Sequence, residues 1–153
     1  MRKDGVDRVK NVLKELPFFE DFTDDDFDYF SRHTSIRFFN KDTELFKAGD
    51  RGDYLFFVVE SNVEIRLETI GTRLVVASCG WGNCVGEMSV IDEHPRSASV
   101  IVTEPSELLI LTKNRFDALS QENPLLGFKF LRGIAKNLSL RLRRMTGRFA
   151  DLA

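Results

Sequence analysis

From Ser35 to Leu111 short apolar runs are cut off again and again by clusters of Gly, Asp, Pro and Ser. Ala48-Gly49-Asp50-Arg51-Gly52-Asp53 precedes the run Tyr54–Glu60, Gly71-Thr72 precedes Leu74-Val75-Val76-Ala77, and Gly80-Trp81-Gly82 follows it. Glu104-Pro105-Ser106 separates Val100-Ile101-Val102 from Leu108-Leu109-Ile110-Leu111. Glycine and aspartate supply the backbone angles of tight turns, and runs this short suit strands rather than helices. Tyr54–Glu60 is continuously apolar up to its end and reads as a buried strand. Val63, Ile65 and Leu67 alternate with Glu64, Arg66 and Glu68, the pattern of a strand with one wet face. Ile36-Arg37-Phe38-Phe39 alternates weakly within the strand region that opens at Ser35, and Glu44-Leu45-Phe46 leads into the first turn cluster. Many short strands joined by tight turns leave an antiparallel barrel or sandwich as the consistent architecture.

Helices bracket this region. Val6, Val9, Leu13 and Leu16 recur at helical spacing, which predicts a helix over 5–16 that Pro17 ends. Thr23 is a good N-cap with Asp26 three residues on, and Phe22 and Phe27 stand where a hydrophobic staple places its pair. Asp24, Asp25 and Asp26 read as helix-start residues facing the positive end of the dipole, in preference to a cation site. That helix is expected to run to Arg32. Thr112 or Asn114 caps a short helix, and Asn123-Pro124 fits the N-cap and first turn of a long last one. Along it Phe128, Leu131, Ala135, Leu138, Leu142, Met145 and Phe149 follow in alternating steps of three and four, an a/d heptad seam. A stripe this narrow is read as a surface for a second copy rather than as an ordinary core face. Arg141, Arg143, Arg144 and Arg148 are read as a solvated or dimer-flanking face, not as a nucleic-acid reader. The expected class is α+β, one domain over 1–153: N-terminal helices in 1–33, strands in 35–111, C-terminal helices in 113–150.

Composition narrows the function. A net charge of −2 gives no drive toward nucleic acid or anionic membrane. No apolar run reaches the roughly 20 residues a membrane span needs, and the charged N-terminus is not that of a signal peptide. Cys79 and Cys84 are read as reduced thiols of a cytoplasmic protein. With the isolated His33 and His94 they make no metal-ligand cluster, and no nucleophile-base pairing or Walker-type loop can be assembled. Fourteen Phe residues point to a Phe-rich core.

The stretch Val85–Val100 carries the chemistry. Gly86 lets backbone approach a ligand closely, and the amides of Glu87, Met88 and Ser89 open a short helix whose N-terminus favours an anion. Arg96 adds a permanent charge with a fork of donors suited to phosphate oxygens. The Glu87 carboxylate is an acceptor for sugar hydroxyls. The bland alternative, a surface Glu87–Arg96 ion pair worth under about 1 kcal/mol, leaves Gly86, Pro95 and Ala98 unexplained.

Three segments resemble the cyclic-nucleotide-binding domain shared by catabolite-activator-type regulators, kinase regulatory subunits and gated channels. Phe46-Lys47-Ala48-Gly49-Asp50-Arg51-Gly52-Asp53-Tyr54-Leu55-Phe56 is similar to the family's F-x-x-G-D-x-x-D-x-(hydrophobic) turn; Gly82-Asn83-Cys84-Val85-Gly86-Glu87-Met88 to G-x-x-F-G-E-L; and Pro95-Arg96-Ser97-Ala98-Ser99-Val100 to P-R-(S/A/T)-A-(T/S)-V. Three in order form a specific signature covering roughly residues 16–148. The resemblance implies a jelly-roll-like antiparallel β-roll with N-terminal helices and a long C-terminal helix, and a phosphate-binding cassette over 85–100. It implies that Glu87 accepts the ribose 2′-OH and that Arg96 pairs with the cyclic phosphate. Gly86, Met88, Ser89, Ser97 and Ala98 would complete the cradle, and Met145 and Thr146 fall near positions facing the base.

Two departures stand out. Ser61 replaces a usual glycine, with the turn expected to move to Asn62. Val85 replaces a usual Phe, at an expected loss of packing but of no ligand contact. Ser97 permits cAMP or cGMP. The expected function is a non-enzymatic regulatory module that binds cAMP more readily than cGMP, relays occupancy through its last helix and forms a homodimer. The alternatives are an interaction domain of the same fold that binds no cyclic nucleotide, or a sensor of another small anion. The latter includes the effector part of a transcription regulator, since a helix-turn-helix is expected only beyond Ala153.

Overall fold

The computed structural model describes the backbone of residues 3–69 and 71–152, and their side chains apart from those of 3, 4, 6, 69 and 148–152. The predicted seam residue Phe149, with Val6 and Arg148, therefore has its side chain outside the described residues. Helix α1 (Lys3–Glu15), a 3-10 turn (Pro17–Phe19) and α2 (Asp24–Ser31) lead into eight strands. These are β1 (Ser35–Phe39), β2 (Glu44–Phe46), β3 (Tyr54–Glu60), β4 (Val63–Thr69), β5 (Thr72–Cys79), β6 (Cys84–Val85), β7 (Ser99–Val102) and β8 (Ser106–Thr112). Helix α3 (Glu87–Asp92) lies between β6 and β7, and α4 (Lys113–Glu122) and α5 (Pro124–Leu152) follow β8. The strands form two antiparallel four-stranded sheets, β1-β8-β3-β6 and β2-β7-β4-β5. The antiparallel sheets are those the turn spacing predicts, and the roll with its flanking helices is the form the family resemblance implies.

Strands β3 and β8 show why the roll holds together. Successive side chains on a strand point to opposite faces. On β3, Leu55 and Phe57 join the core beneath the helices, while Phe56 and Val58 join the core between the sheets. On β8, Leu109 and Leu111 take the first side and Leu108 and Ile110 the second. Both faces are dry, so the sequence of each strand is apolar throughout rather than alternating.

The helical side is filled with aromatic rings. Phe19 meets Phe18, Phe22, Phe30 and Phe57 at ring-centroid distances of 4.9 to 5.3 Å, and Phe130 of α5 lies 5.5 Å from Phe18. Such pairs contribute about 0.5–1.5 kcal/mol each beyond their burial.

The start of α2 is built as its sequence requires. The Thr23 hydroxyl accepts from the Asp26 amide at 3.2 Å, and the Thr23 amide donates to Asp26 Oδ2 at 2.9 Å. Phe22 and Phe27 close the staple at 5.6 Å. Asp26 also takes the Lys129 ammonium at 2.6 Å, tying α2 to α5. Thr112 caps α4, and the Asn123 carboxamide accepts from the Leu126 amide at 3.2 Å at the head of α5. Within the described residues no helix is long and apolar enough to cross a membrane.

Two expectations change. Helix α5 packs on the core through Leu126, Phe130 and Ile134, which lie off the heptad seam, and Leu138 of the seam packs partly against the same core. The turn after β3 has not moved to Asn62: Ser61 itself adopts φ 76°. Asn62 is instead the tie of that corner. Its side-chain amide donates to Ser78 Oγ at 2.8 Å and Thr103 Oγ1 at 3.0 Å, and its backbone amide to Ser106 Oγ at 3.2 Å. A left-handed conformation costs a non-glycine residue roughly 1–2 kcal/mol, partly offset by the extra unfolded-state freedom of glycine. Ser61→Gly should therefore raise stability by a few tenths to about 1 kcal/mol in urea titration. A loss of stability would mean that Ser61 contributes a contact that outweighs its strain.

Candidate functional site

The three sequence signatures converge on one side chain. The backbone of the 95–99 segment is bound to the β2–β3 turn: the Arg96 amide donates to the Asp50 carbonyl at 2.7 Å, and the Gly49 amide to the Arg96 carbonyl at 2.8 Å. This carries the Arg96 side chain inward, where it is only 4% exposed. Its Nη1 donates to the Gly86 carbonyl at 2.8 Å and its Nη2 to the Tyr54 carbonyl at 2.5 Å. Two glycines make room for it. A Cβ on Gly86, which sits at φ 86°, would stand 2.7 Å from Arg96 Nη1. A Cβ on Gly52 would stand 2.1 Å from Ser89 Cβ and 3.1 Å from the guanidinium carbon. Burial pushes the Arg96 pKa down, opposed by Tyr54, Asp53, Glu87 and Asp50, and the guanidinium stays cationic at any ordinary pH. Its Nε is buried without a partner. A buried charged donor left unpaired is costly, so this position favours an acceptor, best an anion.

Gly86 in the left-handed region turns the chain from β6 into α3 and directs Glu87 into the same space. Glu87 is 3% exposed. Its Oε1 accepts from Arg141 Nη1 at 2.5 Å, and Arg141 Nη2 donates to the Cys84 carbonyl at 2.8 Å. Glu87 and Arg96 thus do not pair with each other. The acid is held by α5 and the base by backbone carbonyls. Between them lies a cavity of about 90 Å³, smaller than the roughly 300–1,000 Å³ usual for small-ligand sites.

Gly86, Glu87, Met88, Ser89, Arg96, Ser97 and Ala98 all line that cavity. Thr146 does not: it is exposed on α5, with its hydroxyl donating to the Leu142 carbonyl at 3.0 Å. Val85 does line it, so this position is a wall of the cavity as well as packing. Arg141 is the main residue that sequence reasoning placed elsewhere. Its side chain is 43% exposed on the solvated flank, but its guanidinium is turned onto Glu87. Its signal was its position seven residues after Ile134, on the helix face that packs inward. Phe46 and Ile65 complete the apolar wall.

The remaining seam residues face outward. Phe128 and Leu142 are 59% and 64% exposed, and Leu131, Ala135 and Met145 are exposed too. His33 stacks on Tyr29 at 5.0 Å, and burial pushes its pKa down. Both cysteines are free, and burial raises Cys84 well above the ordinary thiol value. Among the described residues no three metal-ligating side chains come together.

A sequence model of the cyclic nucleotide-binding domain matches residues 36–123, more than half of the chain. The cyclic AMP receptor protein of Thermus thermophilus is 30% identical over 127 residues, covering 82% of this chain and 59% of that protein. The anaerobic regulatory protein of Bacillus subtilis is 28% identical over 145 residues, covering 93% and 59%. The chain therefore spans about three fifths of these curated relatives. A solved cyclic nucleotide-binding domain from Methylobacillus flagellatus superposes with a TM-score of 0.82 at 26% identity, covering 97% of this chain and 84% of that one. By its β-roll, its long last helix and these matches, the chain belongs to the cyclic nucleotide-binding domain family.

Proposed function

We propose that this chain is a non-enzymatic cytoplasmic sensor that binds a cyclic purine nucleotide, cAMP in preference to cGMP, and relays occupancy through α5. One observation carries the reading: a buried guanidinium with a free Nε and a buried carboxylate with one uncommitted oxygen line the same open cavity. A cyclic phosphate supplies the anion that Arg96 lacks, and the ribose 2′-OH donates to Glu87. The name of the Thermus relative, a cyclic AMP receptor protein, supports cAMP as the ligand.

The relay rests on Arg141. A ligand shifts a conformational equilibrium only through differential affinity for the two states. The ribose joins or displaces Arg141 at Glu87, so occupancy changes what holds the outer half of α5. The exposed seam Phe128, Leu131, Ala135, Leu142 and Met145 then supports a homodimer whose contact responds to ligand. The 153-residue chain acts as one module in this reading. The Arg141–Glu87 pair favours one second reading, an interaction domain that needs no nucleotide, because it satisfies part of the acid without ligand. The orphaned Arg96 Nε weighs against it.

Calorimetric titration should give saturable binding of cAMP, weaker binding of cGMP, and at least a tenfold loss in Arg96→Ala, as expected for charge-assisted bonds worth about 1.5–3 kcal/mol. Glu87→Gln should chiefly erase discrimination against the 2′-deoxy nucleotide. Absence of binding at millimolar cAMP would leave the interaction-domain reading. Light scattering should return about twice the 17.6 kDa chain mass, and Leu142→Glu should halve it. A monomeric wild type would remove the seam from the mechanism.

A further inference from the structure

The guanidinium of Arg96 is a buried charge, yet among the described residues no carboxylate pairs with it. Glu87, the buried acid of the cavity, is engaged by Arg141. What surrounds the Arg96 charge instead is aromatic. Its guanidinium carbon lies 3.9 Å from the Phe46 ring centroid and 5.1 Å from that of Tyr54. The two rings stand at 78° with centroids 6.0 Å apart, so they form two walls of a corner. The Tyr54 hydroxyl donates to the Leu45 carbonyl at 3.1 Å, which fixes that ring in place. Phe46 is buried against the second core cluster.

This arrangement has a chemical consequence. A carboxylate partner satisfies an arginine by occupying its edge N–H groups, the same groups that would bind a phosphate. A ring stabilises the cation through its face and occupies no donor. Two of its five N–H donors are spent on the carbonyls of Gly86 and Tyr54, which set the plane of the guanidinium; Nε has no partner, and each Nη keeps one further N–H.

We propose that Phe46 and Tyr54 are positioning residues that hold Arg96 by cation–π contact, keeping its charge buried and its remaining N–H donors uncommitted to any carboxylate. The ligand half of this inference rests on the nucleotide-binding reading; the geometric half does not. Tyr54 does not line the cavity, so its ring acts on a ligand only through Arg96.

The test has two readouts. In ligand-free protein, the Arg96 Nε–H signal in a proton–nitrogen correlation spectrum should be ring-shifted and slow to exchange. It should lose both properties in Phe46→Leu and Tyr54→Leu, and keep them in Phe46→Tyr and Tyr54→Phe. In calorimetric titration with cAMP, Phe46→Leu should weaken binding about three- to thirtyfold, and Tyr54→Leu about two- to fivefold, with the aromatic replacements within twofold of wild type. An Nε–H signal or an affinity that is the same in the leucine and aromatic variants would overturn the proposal, because side-chain volume alone would then be at work. If Phe46→Leu does not fold, the half-buried Tyr54 pair decides. A wild-type chain that binds no cAMP but keeps the ring-shifted signal sinks the nucleotide reading and leaves the clamp standing.

Discussion

A buried positive charge is the constraint on which this structure turns. An arginine withdrawn from water is tolerated only where its hydrogen bonds are met and its charge is stabilised. For Arg96 those conditions are met, Nε apart, by residues far apart in the chain: Phe46 and Tyr54 flank one turn, Gly86 opens α3, and Asp50 takes the Arg96 amide. None of these can reach Arg96 until β2, β3, β6 and β7 are in register. Forming the site is therefore almost the same event as closing the roll. Gly52 and Gly86 belong to the same condition, because a methyl group at either would enter the space of the guanidinium or of Ser89.

The helices are coupled to that site through β3. Tyr54 at its start faces Arg96, and Phe57 three residues on lies 5.0 Å from Phe19 and 6.4 Å from Phe130 of α5. The first half of α5 is thus anchored in the aromatic core, with Gly133 admitting the Phe18 ring where a Cβ would stand 2.7 Å from it. Past Leu138 the described helix is exposed, and its side chains reach the cassette through Arg141.

Much of this was legible in the residues. The turns, the capping box and the dry strands follow from local chemistry, because glycine angles, cap hydrogen bonds and two-faced burial each leave their own pattern. The cassette residues from Gly86 to Ala98 were legible because their chemistry is concentrated in one stretch. The last helix was harder for a geometric reason. Its core face runs in steps of four through Leu126, Phe130, Ile134 and Leu138, while the seam runs at seven-residue intervals. A straight helix drifts by about 20° per heptad, so the two stripes lie side by side and meet at Leu138. A reading of period alone misses that Leu138 also packs partly on the core and that Arg141 reaches Glu87. The corner at Ser61 failed differently: intrinsic preference favours Asn at positive φ, but the three hydrogen bonds of Asn62 hold it in place and pass the strain to Ser61.

The two halves of the cavity are held in opposite ways, and this separates their roles in the proposed mechanism. Arg96 is held by backbone carbonyls and by rings seated in the roll, so in the proposed mechanism it meets the anion from a fixed position. Glu87 is held by a side chain on α5, and that partner can move only if the helix or its guanidinium moves. Binding free energy gained at the phosphate end is then available whether or not α5 responds, and it secures occupancy. Free energy gained at the sugar end depends on what Arg141 does, and this is the part that differs between two states of the helix. A ligand with phosphate but no hydroxyl able to engage Glu87 would occupy such a site and still fail to switch it.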